Sequence, residues 1–428
     1  MKELNIEGLN EVIYFYETKN GLKVYMWPNE KISSMYASLT VKYGSNHTKF
    51  KVGKKIYEVP SGIAHYLEHI KFNIDDETTA HDKFYKIGGD SNAYTTFTHT
   101  SYLFYTTKNK KENLEELLNF VYNPYFTKKA ISKERGIILE EAKMGLDNPY
   151  DVIFYNTLKN TLQKSKYRIP VIGTSEDIEA ISLEDIKLVF DTFYHPKNMF
   201  LIITGGFNPY EMASIVENTL DKYEFSEYKN PLVIKENEPK KVTKKYSEEM
   251  IKITYPIVKI TLKMDMDRFK GYSKIDLKTL TNLLFSSNFG ATSDFKDELM
   301  EKGIVENLMF SCDVYDENFI ICISSTTKFA DEFIKRAMDK LNNLTISDID
   351  FKRKKNAEIA NLILDYEDVE NVNSKILHDL IDNKEVITNY KEKLENMKID
   401  DINNIIDLID THNMSISIFK PKENQKDE

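Results

Sequence analysis

Cysteine is almost missing from this chain, with Cys312 and Cys322 the only two in 428 residues. So few thiols cannot build a disulfide framework, and the fold has to rest on a buried apolar core. An excess of basic charge is missing as well. There are 58 Lys and Arg against 68 Asp and Glu, a net charge of -10. Nucleic-acid binders ordinarily carry a basic face that displaces counterions from phosphate, so no nucleic-acid partner is expected. Long apolar runs are lacking too. Lys2, Glu3, Glu7, Glu11, Glu17 and Lys19 interrupt the first 30 residues and leave no apolar core for a signal peptide. Met199 to Ile203, an apolar run near the middle, falls far short of the roughly 20 residues of a membrane helix. The expectation is a cytoplasmic protein with no membrane span.

What is present is a globular composition with 41% apolar residues. At about 150 residues per domain, the length suggests two or three domains, each able to bury its own core. Leu308 to Val314 and Phe319 to Ser325 read as strands around a Tyr315-Asp316-Glu317-Asn318 turn. Folding that hairpin about residue 317 sets the two cysteines nearly opposite each other, as small buried hydrophobes.

The chain repeats itself. Ile178, Ile181, Leu183 and Ile186 recur 216 residues later as Leu394, Met397, Ile399 and Ile402. Each copy leads to an Asn-Met pair opening a β-rich run, at Asn198-Met199 and Asn413-Met414. Matched helix, connection and strand point to a duplicated domain. Lys229 to Glu248, rich in Lys and Glu and containing Pro231 and Pro239, has the composition of a solvated linker. The expected division is therefore 1–228, a linker at 229–248, and 249–428, with a disordered tail from Lys420. Strand-like Leu22 to Trp27, Met35 to Val41 and Ser101 to Thr106 mix irregularly with helical Lys111 to Tyr122 and Leu183 to Phe193. That pattern favours an α+β fold.

The chemistry is concentrated in Ser61-Gly62-Ile63-Ala64-His65-Tyr66-Leu67-Glu68-His69-Ile70. On a helix, His65 and His69 lie one turn apart on one face and can offer two imidazole nitrogens to one tetrahedral ion, with Glu68 beside them. This H-x-x-E-H is the reverse of the common zinc-protease motif. With eight histidines in the chain, composition alone would produce it in roughly one such sequence in a hundred. A catalytic zinc needs a third protein ligand and an open position. Lys133 to Met144 reads as a helix carrying Glu134, Glu140 and Glu141. Glu134 and Glu141, seven apart, share a face, and spacing does not rank Glu140 against Glu141.

The H-x-x-E-H, the later Glu134-Arg135-Gly136-Ile137-Ile138-Leu139-Glu140-Glu141 and Asp147-Asn148-Pro149 together resemble the pitrilysin/insulinase family of zinc peptidases, the inverzincins that include mitochondrial processing peptidase. Gly88 to Thr95 continued by His99 to Tyr102, and Phe193-Tyr194-His195-Pro196, are similar to further segments of that family. The short bacterial YmfH-like members are the most similar group. The resemblance spans the whole chain. It implies two homologous tandem α+β domains of the LuxS/mitochondrial-processing-peptidase-like type in a clamshell arrangement with a partner, the first domain catalytic and the second not.

The resemblance also assigns residues. It makes Glu141 the third ligand with His65 and His69, and Glu134 a support behind the ligands. The strand holding Asn92 and Ala93 becomes the place where an extended peptide adds to the sheet. Glu68 takes the role of general base. His47, His81, His99, His195, His378 and His412 lack a second ligand at metal spacing and read as structural, so one zinc per chain is expected. One segment departs from the family. Self-sufficient members carry an Arg and a Tyr in the second domain, whereas Met300-Glu301-Lys302-Gly303-Ile304-Val305-Glu306 has Met300 and Glu306 in their places. The implied protein is the catalytic subunit of a heterodimeric processing peptidase, acting in peptide maturation or leader-peptide removal, whose homologous zinc-free partner supplies the Arg and Tyr. The alternative is a peptide-binding or scaffold subunit that keeps zinc without turnover.

Overall fold

Met35–Val41 and Met199–Gly205 are buried at every residue, as strands covered on both faces must be. In the computed structural model, which describes residues 1–75, 77–123 and 125–422, these two strands form the middle of a seven-stranded sheet. Its order is Lys2–Ile6, Glu11–Glu17, Lys23–Pro28, Met199–Gly205, Met35–Val41, Thr100–Thr106, Gly89–Thr95. Lys23–Pro28 and Met199–Gly205 run parallel, and the other neighbours are antiparallel. Ala37, Leu39, Leu201 and Ile203 point into the main core beneath the helices Ile63–Lys71 and Lys110–Tyr122. The alternate residues Ser38 and Thr204 point the other way. There the helix Val369–Asp382 lies on the sheet, with Ser38 Oγ donating to Asn373 Oδ1 at 2.6 Å and Thr204 Oγ1 to the Val369 carbonyl at 2.7 Å.

The chain divides into two compact units, neither continuous in sequence. The first comprises Met1–Met144, Ile169–Lys235 and Leu362–Lys391; the second comprises Gly145–Arg168, Glu236–Asn361 and the chain from Glu392 onward. The second unit holds a five-stranded sheet in the order Tyr246–Ile251, Met414–Pro421, Ile257–Asp265, Asn318–Thr326, Met309–Tyr315. Its first pair is parallel and the rest antiparallel, repeating the last five strands of the larger sheet. The helix-helix-strand run Ser175–Ala180, Leu183–Phe193, Met199–Gly205 reappears as Tyr390–Asn396, Ile399–Leu408, Met414–Pro421. The architecture is α+β with a duplicated domain.

Each sheet is covered by a helix from the other half of the sequence. Pro149–Thr161 lies on the second sheet, where Asn160 Nδ2 donates to Ser417 Oγ at 3.1 Å and Asn156 Nδ2 to Glu249 Oε2 at 2.6 Å. Val369–Asp382 makes the return exchange on the first.

Three local expectations need correcting. The hairpin turns on two residues, Asp316 and Glu317, with Asp316 at φ 55°. Cys312 therefore faces Ile321 while Ser311 faces Cys322, and the cysteines lie on opposite faces of the hairpin. The stretch Lys229 to Glu248 is not solvated throughout, since the Glu238 side chain is 5% exposed against a Lys263 side chain at 0%. Composition reports the average of a segment and misses a carboxylate that is buried with its partner. Finally, Met250 and Ile251 pair with Lys420 and Pro421, so the tail is ordered there. The rest of the disordered-tail expectation, residues 423–428, lies outside the described residues.

Candidate metal centre

The helix Ile63–Lys71 starts at Gly62, whose φ is 84° and whose absent Cβ would sit 2.2 Å from the Ile172 carbonyl oxygen. Only glycine fits both conditions. Ile63, Ala64, Tyr66, Leu67 and Ile70 pack into the core, which leaves His65, Glu68 and His69 on the opposite side. The two imidazole rings stand 4.6 Å apart between centroids. Tyr66 Oη donates to the Ile131 carbonyl at 2.5 Å, fastening this helix to Lys128–Asp147. That second helix buries Ala130, Ile131, Glu134, Ile138 and Ala142, and this register brings Glu134 and Glu141 to the histidines.

Glu141 Oε1 lies 3.7 Å from His65 Nε2, and Glu141 Oε2 lies 3.4 Å from His69 Nε2. Atoms held about 2.0–2.1 Å from a tetrahedral zinc stand about 3.3 Å from one another. The observed spacings, each to a different Glu141 oxygen, are close to that separation. Among the described residues, His65, His69 and Glu141 are the one group of His, Cys, Asp and Glu able to hold a metal ion, with donor atoms all within 4.8 Å. Glu140 turns away and pairs with Lys143 at 2.6 Å.

Glu134 is buried and sets its Oε2 3.5 Å from His69 Nδ1, while Asn73 Nδ2 donates to its Oε1 at 3.2 Å. Burial, with His69 alongside, pushes the His65 imidazole down to about 3, so it is neutral and able to ligate. Burial also lowers His69, but Glu134, Glu141 and Glu68 outweigh it and raise the ring above its ordinary value. Burial raises the Glu68 carboxyl against the opposing pull of Thr95.

Glu68 is 7% exposed, and Thr95 Oγ1 donates to its Oε2 at 2.6 Å. Thr95 ends Gly89–Thr95, one of the two edge strands of the seven-stranded sheet. Asn92 and Ala93 lie on the same strand, with Asn92 exposed and its Oδ1 accepting from the Ala93 N–H at 2.8 Å. Neither Thr95 nor Asn73 is among the residues singled out from the sequence. Thr95 shares a strand face with Ala93, two residues earlier, and Asn73 lies four residues after His69, just past the end of the helix, which were the available signals.

Away from the centre, His81 stacks on Phe72 at 4.4 Å and lies 2.9 Å from Ser91 Oγ, while His195 Nδ1 accepts from the Lys197 N–H. In the second unit, Met300 is 46% exposed at the end of Asp294–Glu301, and the Glu306 N–H donates to the Thr326 carbonyl. Among the described residues no helix is long and apolar enough to cross a membrane.

Residues 28–175, which contain the whole centre, match the model described as Insulinase (Peptidase family M16), and residues 180–358 match the Peptidase M16 inactive domain. The chain belongs to peptidase family M16. Within it, the chain is 36% identical to the uncharacterized zinc protease YmfH of Bacillus subtilis over 310 residues, 72% of either protein. It is 24% identical to the zinc protease PqqE of Helicobacter pylori over 401 residues, 90% of this chain and 87% of that one. The crystal structure of an M16-like peptidase from Alicyclobacillus acidocaldarius superposes with a TM-score of 0.91 at 25% identity, covering 97% of this chain and 100% of that one. Relatives named as zinc proteases thus match by sequence, and an M16-like peptidase shares the fold.

Proposed function

We propose that this M16 protein is a zinc-dependent endopeptidase that cuts peptides or unfolded segments, with one zinc per chain held by His65, His69 and Glu141. The observation that carries the reading is the meeting of those three donors beside a buried, oriented Glu68. A carboxylate tied by a hydroxyl next to a metal cage is what peptide hydrolysis requires, whereas a purely structural ion would need no base. When bound, zinc supplies a Lewis acid for the scissile carbonyl and the attacking water. Glu68 accepts the water proton and passes it to the leaving amine. Glu134 orients His69. The outer edge of Gly89–Thr95, around Asn92 and Ala93, accepts the peptide as an added strand.

In this reading 1–228 is the catalytic domain, 249–428 its non-catalytic homologue and 229–248 the connection. With Met300 and Glu306 where an Arg and a Tyr would clamp substrate, the chain acts in the cytoplasm as the zinc-bearing subunit of a heterodimeric processing peptidase. Its homologous zinc-free partner supplies both groups, and peptide maturation or leader-peptide removal is the task. The test is to incubate zinc-loaded protein and its Glu68→Gln variant with a mixed peptide library, with and without the products of neighbouring genes, reading cuts by mass spectrometry. Cuts made by the wild type and absent with the variant support the peptidase. Zinc bound with no cuts under either condition leaves a peptide-binding subunit instead.

A further inference from the structure

We propose that Thr95 is the positioning residue of Glu68, tying the geometry of the base to the strand along which a peptide would dock. The inference rests on the peptidase reading and adds a mechanical link to it. A glutamate side chain has several rotatable bonds, and a base must reach its proton within hydrogen-bond distance. The hydrogen bond at Glu68 comes across from the sheet, from Thr95 Oγ1 to Oε2 at 2.6 Å.

Its direction is fixed by the neighbours. An ionised carboxylate only accepts, so the single Thr95 proton goes to Glu68. Thr100 Oγ1, 3.3 Å from Thr95 Oγ1, donates its own proton to the Tyr43 carbonyl at 3.0 Å. The Thr95 hydroxyl is thus committed to Oε2, and the other carboxylate oxygen is left to exchange a proton with water. A donor already at Oε2 also steers the incoming proton to that second oxygen.

The strand supplies the coupling. Thr95 is the last residue of Gly89–Thr95, paired on its inner side with Thr100–Thr106 and at one edge of its sheet. A peptide added to the outer edge by backbone hydrogen bonds stiffens that strand, and Thr95 carries the stiffening to Glu68. Peptides long enough to pair along the strand therefore turn over faster without simply binding more tightly.

Thr95→Val removes the hydroxyl at nearly constant volume, and Thr95→Ser restores it. With a peptide cut by the wild type, Thr95→Val is expected to lose about tenfold to a hundredfold in kcat, the scale of a small misplacement of a catalytic group. KM, zinc content and melting temperature stay unchanged, and Thr95→Ser recovers most of the rate. Lengthening the peptide raises kcat in the wild type but not in Thr95→Val. In crystals of the metal-free proteins, the Glu68 carboxylate keeps its place in the wild type and Thr95→Ser and is displaced in Thr95→Val. Wild-type kcat in Thr95→Val, a loss shared equally by Thr95→Ser, or a loss confined to KM or zinc content overturns the inference. If the wild type shows no turnover dependent on Glu68, the peptidase reading has failed instead, and the metal-free crystals still decide whether Thr95 holds the carboxylate.

Discussion

Glu134 Oε2 stands 3.5 Å from His69 Nδ1, across the ring from the nitrogen that faces Glu141. One helix thereby addresses both nitrogens of one imidazole. A carboxylate at Nδ1 keeps the proton there and frees Nε2 for a metal.

Glu134→Gln is therefore expected to weaken zinc binding by about 10- to 100-fold, the usual cost of losing such a support. Glu141→Gln should abolish stoichiometric binding and Glu140→Gln should leave it intact. Competition against a chromophoric chelator measures all three, and full zinc occupancy in Glu141→Gln would move the third ligand elsewhere.

Glu68→Gln separates holding metal from moving protons. Zinc content by elemental analysis should match the wild type, while kcat falls by at least the ~10²–10⁴ typical of a lost acid–base group. Wild-type turnover in this variant would remove Glu68 from the mechanism.

The second unit offers a stability test away from the site. Lys263 Nζ donates to Glu238 Oε1 at 2.5 Å, and Glu238 also accepts from the N–H groups of Gln163, Lys164 and Ser165. Glu238→Gln leaves the buried Lys263 ammonium with neutral acceptors alone, the Pro239 and Lys241 carbonyls at 2.7 and 3.2 Å, and should cost about 1–3 kcal/mol. A fall in the urea midpoint of the transition reporting on the second unit checks this. Lys263→Met added to Glu238→Gln should return part of the loss.

The same carboxylate gives a pH dependence with a defined sign. Burial pushes Glu238 up, but Lys263 and the three backbone donors outweigh it and hold the carboxyl below its ordinary 4.5. A depressed folded-state value means the stabilisation is complete above about pH 4.5 and is lost as pH falls through the lower folded value. The stability gap between wild type and Glu238→Gln should thus be constant near neutrality and close on acidification. A gap that widens in acid would contradict the assigned state.

Partnership is tested by reconstitution. The purified chain should cleave slowly alone and faster with a homologous zinc-free chain, whose Arg→Ala variant still binds but no longer activates. Equal rates with and without that chain would establish a self-sufficient enzyme.

The candidate metal centre was legible in the sequence wherever one element sets the geometry. His65 and His69 are one turn apart on one helix, and Glu134 and Glu141 two turns apart on another, so periodicity carries both pairs. Glu140 and Glu141 are adjacent, and what separates them is lateral: Lys143 takes one and the histidines take the other. Thr95 and Glu68 meet across a strand and a helix, a tertiary contact that no spacing encodes. The strands Met35–Val41 and Thr100–Thr106 and the helix Leu183–Phe193 follow from local pattern. The register of Met309–Tyr315 does not, because one residue more or less in the turn moves Cys312 to the other face. Amphipathicity likewise shows which face of Pro149–Thr161 is buried and is silent on which sheet buries it.

The reciprocal helices also set a timetable for synthesis. Met199–Gly205 completes the first sheet, yet the helix that covers Ser38 and Thr204 ends only at Asp382. At about 5–20 residues per second of translation, that face waits roughly 10 to 35 seconds for its cover. A ribosome stalled anywhere in that interval holds a sheet face without this helix over it, so the nascent chain is at its most chaperone-dependent while it already carries His65, His69 and Glu141, the three residues proposed to hold zinc.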